Sequence, residues 1–241
     1  MPPESLDFSR RAELSELMDA PCSREVMRAC LRDLARVNRW FLGYRPTLAW
    51  LRSLALPRSK APLRIVDIGC GYGDTLRHIE AWARERSIPI SLVGCDLNPD
   101  IIAIAAEATP PPGAIQWVAT DVFNYRSTEP IDIVVSALFT HHLTEPDIVR
   151  FIQWMEEHAR VGWFINDLSR APIPYHLFKA FSKLAHLHPF VQHDGPVSFA
   201  RAFIPSDWRR MCAAAGLGEH DFVLQTFTPA RLCVARKKLA S

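Results

Sequence analysis

The sequence lacks the features that mark several specialised classes of protein. No run approaches the roughly 18 consecutive apolar residues of a membrane span. Its 28 basic and 26 acidic residues are well mixed and leave a net charge of +2, so the dense positive footprint of a nucleic-acid binder is missing. The basic run Arg236–Lys238 is too short to supply one and reads as a solvated tail. Six cysteines, at 22, 30, 70, 95, 212 and 233, include no C-x-x-C pair. They read as small apolar residues of a reduced chain rather than as a disulfide framework or a zinc site. Residues 1–17 are acidic and polar, unlike a secretory leader, and a cytoplasmic chain is expected. No segment repeats. What is present is 241 residues, 49% of them hydrophobic, enough for the core of one ordinary domain.

Hydrophobic spacing divides the chain. Residues 4–20 and 23–55 have helical periodicity, and in the second stretch Val26, Leu31, Leu34, Val37, Phe41 and Leu48 form an apolar stripe. "LPRSKAP" at 56–62 reads as a linker, so a helical cap over 1–58 is expected before a larger unit over 59–241. In that unit strands and helices alternate. "LRIVDIG", "PISLVGCDL", "AIQWVAT", "IDIVVSALF" and "VGWFINDL" read as strands, and 74–86, 99–108 and 146–159 as helices. Near-continuous apolar strands between helices are the pattern of an α/β fold whose mostly parallel sheet is covered on both faces. Right-handed crossovers then bring the strand C-termini, and a ligand site, to one edge. The alternation stops near residue 170. Residues 171–190 read as an inserted helix, 193–203 as a loop built on Asp194-Gly195-Pro196, and 205–215 as a helix. The last stretch reads as two antiparallel strands meeting at Thr228-Pro229-Ala230.

The stretch "VDIGCGYGD" at 66–74 lies where the first strand meets a helix. So dense a glycine turn is costly to order unless the backbone must approach something closely. The dinucleotide fingerprint G-x-G-x-x-G puts its third glycine three residues after the second. Here Gly69 and Gly71 are followed by Gly73, and Asp74 takes the fingerprint's last position. A carboxylate at that helix N-terminus disfavours a pyrophosphate, but a ligand with positive charge suits the same residues. Asp67 ends the first strand and is placed to hold an ammonium group, directly or through water. Asp96 ends the second strand, placed either to accept both hydroxyls of a ribose or to cap the next helix. Asp121 follows the third strand, within reach of an exocyclic amine of adenine. One acid after each of three successive strands makes a coherent set.

On these motifs the chain resembles the class I S-adenosylmethionine-dependent methyltransferases. "VDIGCGYGD" matches that family's glycine motif, "VGCDLNP" its ribose-binding acid, "ATDVF" its adenine-side motif and "IDIVVSALFTHHL" its fourth-strand motif, together covering roughly residues 62–168. The resemblance implies a Rossmann-like, doubly wound, seven-stranded sheet, mostly parallel with the last strand reversed. It implies S-adenosyl-L-methionine as cofactor, with Gly69, Gly71 and Gly73 along the methionine part and Asp67 beneath it. Asp96 would take the ribose hydroxyls and Leu97 would pack on the adenine. Asp121 and Val122 would bracket the adenine edge, and Ser136 would approach from the fourth strand.

The methyl acceptor is less legible. A hydroxyl acceptor must be positioned, shielded from water and relieved of a proton, and phenols, titrating near about 10, benefit from a base. His141 and His142, just past the fourth strand, are the candidate catalytic bases, with His142 preferred. The alternative is that one caps a helix and the other is solvated. Trp40, Tyr44 and Arg45 are candidates to cover an apolar acceptor, or else pack against the sheet edge. Tyr175 and His193 are the further candidates, His193 with Asp194 as a base–orienter pair or as part of a structural turn. In the insert, Ile173, Leu177, Phe181, Leu184 and Leu187 share one helical face and His176, Lys179, Lys183 and His186 another. That segment, 171–200, reads as a lid, as ordinary core, or as a surface for loose membrane contact. His186, His188 and His193 lack an H-E-x-x-H pattern and have few acids nearby, so no metal is expected.

"NDLSRAPIPYHLF…HDGPVSFARAFIPSDWRRM" resembles small-molecule methyltransferases acting on quinols and phenolic lipids in bacterial biosynthetic pathways. That resemblance favours O-methylation of a hydroxylated aromatic. C-methylation of a quinol or polyketide ring uses the same site and stays open, as does a non-catalytic cofactor-binding scaffold. Nucleic acid is disfavoured as a partner, because "SALF" stands where N/D-P-P-Y/F would follow the fourth strand. A monomer and a homodimer are both compatible with the sequence.

Overall fold

The computed structural model describes residues 6–54, 61–111, 113 and 115–238. Residues 56–60 of the expected linker, and with them the boundary near residue 58, lie outside the described residues. In chain order the elements are α1 (Arg24–Trp40), α2 (Arg45–Arg52), β1 (Leu63–Ile68), α3 (Asp74–Glu85), β2 (Ile90–Asp96), α4 (Pro99–Glu107), β3 (Ile115–Ala119) and β4 (Ile131–Ala137). They continue as α5 (Glu145–His158), β5 (Ala159–Leu168), α6 (Pro172–Leu184), α7 (Pro189–Arg201), α8 (Pro205–Ala214), β6 (Val223–Phe227) and β7 (Arg231–Lys237). Helix starts follow local chemistry. Ser23 and Thr144 accept from Val26 N and Asp147 N at the heads of α1 and α5. Pro99, Pro172, Pro189 and Pro205 occupy first turns, where no intrahelical N–H is needed.

The seven strands form one sheet in the order β3-β2-β1-β4-β5-β7-β6, parallel except for β7, which runs antiparallel to both its neighbours. Strand alternation divides the core between the two faces. Ile65, Ile133 and Phe164 join Trp50, Leu51 and Trp82 on one side, while Val66, Val134 and Trp163 join Phe151, Met155 and Trp208 on the other. Burying each such side chain contributes roughly 1.5–3 kcal/mol. Strand order reverses between β1 and β4, so their C-terminal ends diverge into a crevice.

Four expectations are corrected. The helix expected over 4–20 reduces to a single 3₁₀ turn, Leu17–Asp19, preceded by an irregular strap. The strap's polar groups bond to distant elements: Arg170 donates to Phe8 O and Ser9 O, Ala12 N to Ala200 O, and Arg11 to the carbonyls of His141, Leu143 and Arg201. These tertiary bonds displace the helical ones that spacing alone favoured. The helical stretch expected over 23–55 is not continuous but forms α1 and α2, broken where Leu42 takes φ 53 and Asn166 Nδ2 donates to Gly43 O at 2.8 Å. The loop expected at 193–203 is mostly α7, with Pro196 inside it. Burial of Val191, Pro196, Val197 and Phe199 outweighs the missing proline N–H, and the Asp194 carboxylate is taken up by Leu17 N and Met18 N. Finally, the apolar face expected on 171–190 is split: Ile173, Leu177 and Leu184 are exposed, whereas Phe181 and Leu187 turn inward together with Phe178 and Ser182.

Candidate active site

The crevice holds a cavity of about 350 Å³ floored by the turn that links β1 to α3. Two glycines of that turn have distinct duties. At Gly71 (φ +50) an added Cβ would meet nothing within 4 Å, so its backbone faces open space. At Gly73 (φ +73) a Cβ would lie 2.1 Å from the Trp117 ring, so this glycine lets α3 pack on β3. Gly69 and Gly71 line the cavity, whereas Gly73 does not.

Asp67 also lines it, 1% exposed, with Oδ1 lacking any hydrogen-bond partner. Burial, then the charges of Asp74 and Asp96, push its carboxyl well above the usual range. Asp96 accepts from Gly71 N through Oδ2 and from Asn98 N through Oδ1, both at 3.1 Å. The cap of α4 is Asn98, which accepts from Asp100 N, so Asp96 braces the glycine turn instead. Burial raises its carboxyl too. Leu97, Asp121 and Val122 complete the far wall, Asp121 accepting from Phe123 N at 2.7 Å. Ser136 is set behind the wall: it is buried and donates to Ile68 O at 2.9 Å, tying β4 to β1.

A second cavity, about 410 Å³, lies beneath α6 and α7 and is walled mainly by Leu34, Val37, Phe41, Phe178, Phe181 and Phe199. The two cavities share Glu16, Met18, Leu34, Asn38, Leu138 and His142. His142 therefore stands in the common wall, its Nδ1 3.2 Å from Asp19 Oδ1 and its Nε2 3.8 Å from Glu16 Oε2. His141, buried, lines the second cavity, with Nδ1 2.7 Å from Asp167 Oδ1 and Nε2 3.7 Å from Glu16 Oε1. Burial raises the Glu16 carboxyl. Arg231 also lines this cavity; it donates to Asn38 Oδ1 at 2.9 Å, while its Nη1 has no hydrogen-bond partner.

The five residues expected at the acceptor lie outside the walls of both cavities. Trp40 is exposed and packs edge-on against Phe181. The Tyr44 hydroxyl donates to Asp74 Oδ2 at 2.5 Å, pinning the start of α2 to the glycine turn. Arg45 is exposed. Tyr175 meets Phe8 of the strap, and His193 is exposed with Nδ1 2.8 Å from Asp194 Oδ1. The residues that sequence reasoning missed are Glu16, Asn38, Asp167 and Arg231. Of these only Asp167 carried a signal, as a fourth acid at a strand's C-terminal end.

Residues 65–162 match the methyltransferase-domain family. Over 171 residues the chain is 35% identical to a trans-aconitate 2-methyltransferase of Streptomyces avermitilis, a match covering 66% of this chain and 60% of that protein's length. The fold is that of the plantazolicin methyltransferase BpumL in complex with SAH (TM-score 0.60, 14% identity, 89% of this chain and 96% of that one). It is likewise that of human N-acetylserotonin methyltransferase in complex with SAM (TM-score 0.62, 12% identity, 90% and 56%). The motifs, the strand order and these matches agree: residues 65–162 carry a methyltransferase domain, set in the fold of the class I S-adenosylmethionine-dependent methyltransferases.

Proposed function

We propose that the protein methylates a hydroxyl of an aromatic small molecule of phenol or quinol type, aided by a histidine of the His141–His142 pair. The observation that carries this reading is the wall shared by a polar cavity at the strand ends and an apolar cavity beneath α6, with His142 in it. S-adenosylmethionine, when bound, supplies a methyl on a positive sulfur, which leaves as the neutral thioether as the acceptor's lone pair takes the methyl. The cofactor's ammonium group suits the orphaned Asp67 Oδ1, a buried acceptor with no other partner. Asp96 keeps lone pairs for two ribose hydroxyls after bracing the turn, and Leu97, Asp121 and Val122 offer a face and an edge for adenine. His142 at the shared wall, or His141 in the apolar cavity, takes the acceptor's proton. The strap, α1, α6 and α7 cover the acceptor and exclude water, with α6 and α7 acting as the lid. Leu177 both lines the apolar cavity and reaches the surface beside Ile173, which suits an acceptor with an apolar tail and loose contact with a membrane. Among the described residues no helix is long and apolar enough to cross one.

A carboxylate acceptor is the second reading. Arg231, a buried cation with an unpartnered Nη1, supports it, and the S. avermitilis relative is by its name a trans-aconitate methyltransferase. Calorimetric titration with S-adenosylmethionine and S-adenosylhomocysteine, then a transfer screen on catechols, quinols, alkylresorcinols and trans-aconitate, tests both. Turnover on the aromatics supports the first reading, and turnover on trans-aconitate alone replaces it. Binding with no turnover on any of them counts against both.

A further inference from the structure

Glu16 comes from a part of the chain distant from the neighbouring pair His141 and His142, and one ligand atom of each lies within 4.8 Å of the others. His141 Nε2 is 3.7 Å from Glu16 Oε1, and His142 Nε2 is 3.8 Å from Glu16 Oε2. N–H···O hydrogen bonds close to about 2.7–3.2 Å, so neither contact is one. Both are near the roughly 3.4 Å that separates two ligand atoms held about 2.1 Å from a tetrahedral metal ion.

The far sides of both rings are already committed. His141 Nδ1 is 2.7 Å from Asp167 Oδ1, and His142 Nδ1 is 3.2 Å from Asp19 Oδ1. An ionised carboxylate only accepts, so each Nδ1 carries a hydrogen and each ring turns its other nitrogen, Nε2, toward Glu16. Glu16 Oε1 accepts from Ser198 Oγ at 2.9 Å and lies 3.6 Å from Arg201 Nη1, so part of its charge is already met; a ring nitrogen without its hydrogen still repels a carboxylate unless a cation lies between them. Two protons are a poor choice, because the two rings pack with centroids 4.3 Å apart and two imidazolium charges would oppose each other. A carboxylate on the far nitrogen of each histidine is the arrangement that orients imidazoles on metal ions.

We propose that Glu16, His141 and His142 bind one divalent transition-metal ion, whose open position takes the oxygen of the methyl acceptor. Two imidazoles and a carboxylate suit zinc and its neighbours and leave coordination positions free. All three residues line the apolar cavity, so a free position faces the acceptor. The inference rests on the methyl-transfer reading and refines it. A hydroxyl bound at the ion ionises near neutral pH, its proton passing to solvent, and the imidazoles act as ligands rather than as proton acceptors.

The test is cobalt(II) binding to the full chain, stripped with a chelator and free of acceptor. One equivalent per chain is expected, with the visible absorption of imidazole-bound cobalt. Glu16→Gln and His142→Ala should each weaken binding about 100-fold or more, and Asp167→Asn about 10- to 100-fold. His220→Ala, at an exposed position between α8 and β6, should leave it unchanged. His142 is partly exposed, so His142→Ala should keep the fold, which melting and S-adenosylhomocysteine binding check in the same samples. Cobalt binding unaffected by these ligand variants overturns the site. So does undiminished methyl transfer in chelator by protein that takes up no cobalt, an outcome that leaves the methyl-transfer reading standing. Cobalt held through these residues with no transfer to any acceptor keeps the site and overturns that reading instead.

Discussion

His141 Nδ1 donates to Asp167 Oδ1 across 2.7 Å, with both side chains buried. Asp167 also accepts from Thr140 Oγ1, His141 N and Leu168 N, so the end of β5 organises the segment that follows β4. Burial pushes its carboxyl up, but His141 and these donors overcome that and hold it well below the usual range. Asp167→Asn keeps the shape and removes the charge. It should cost roughly 3–5 kcal/mol, the scale of breaking one partner out of a buried pair, read from urea unfolding near pH 7. A lowered carboxyl contributes stability above its ordinary value of 3.8 and loses it as pH falls toward the folded value, so wild type and variant should converge in acid.

Asp67 has the opposite sign. Burial, with Asp74 and Asp96 nearby, raises its carboxyl, so the stability it contributes is present below 3.8 and is lost as pH rises through the folded value. A cationic group bound beside it favours the ionised form. Binding of S-adenosylhomocysteine should therefore release a proton and tighten with rising pH across the window above 3.8. Calorimetry in two buffers of different ionisation enthalpy measures the release, and Asp67→Asn should abolish it.

Asp96→Ala should weaken S-adenosylhomocysteine binding by roughly 1.5–3 kcal/mol, the range for hydrogen bonds to a charged group. The same titration on the variant checks this, and unchanged affinity would remove Asp96 from the ribose site.

The two glycines should separate binding from stability. Gly73→Ala places a methyl against Trp117 at a left-handed position and should lower the unfolding free energy by more than the roughly 1–2 kcal/mol of backbone strain alone. Gly71→Ala carries only that strain in the free protein, because its Cβ enters open space, but it should obstruct the cofactor. Melting curves and ligand titrations on the pair distinguish the two duties.

His142→Ala should depress turnover while leaving S-adenosylhomocysteine affinity nearly intact, because the ring stands in the wall between the cavities. A variant as fast as wild type would take His142 out of the chemistry.

The sequence by itself determined the sheet and the edge of it at which the acids gather. Apolar runs such as "IDIVVSALF" have one favourable use, as strands buried on both faces, and parallel crossovers carry Asp67, Asp96 and Asp121 to one edge wherever the helices settle. The glycine turn was legible because its left-handed positions favour glycine, although Asp96 and the Cys95 carbonyl of β2 brace it. Only the tertiary structure decided what faces the acceptor. Glu16 comes from a strap with no regular structure, held by bonds to α7 and to the carbonyls after β4, and no periodicity records such bonds. Tyr44 and Ser136, plausible site residues by type, donate to Asp74 and Ile68 O and line neither cavity. Asp194-Gly195-Pro196, a turn by composition, became helix because burying its neighbours outweighed its local preference. Strand ends are set by short-range chemistry, whereas the acceptor wall is assembled from segments whose meeting depends on the whole packed chain.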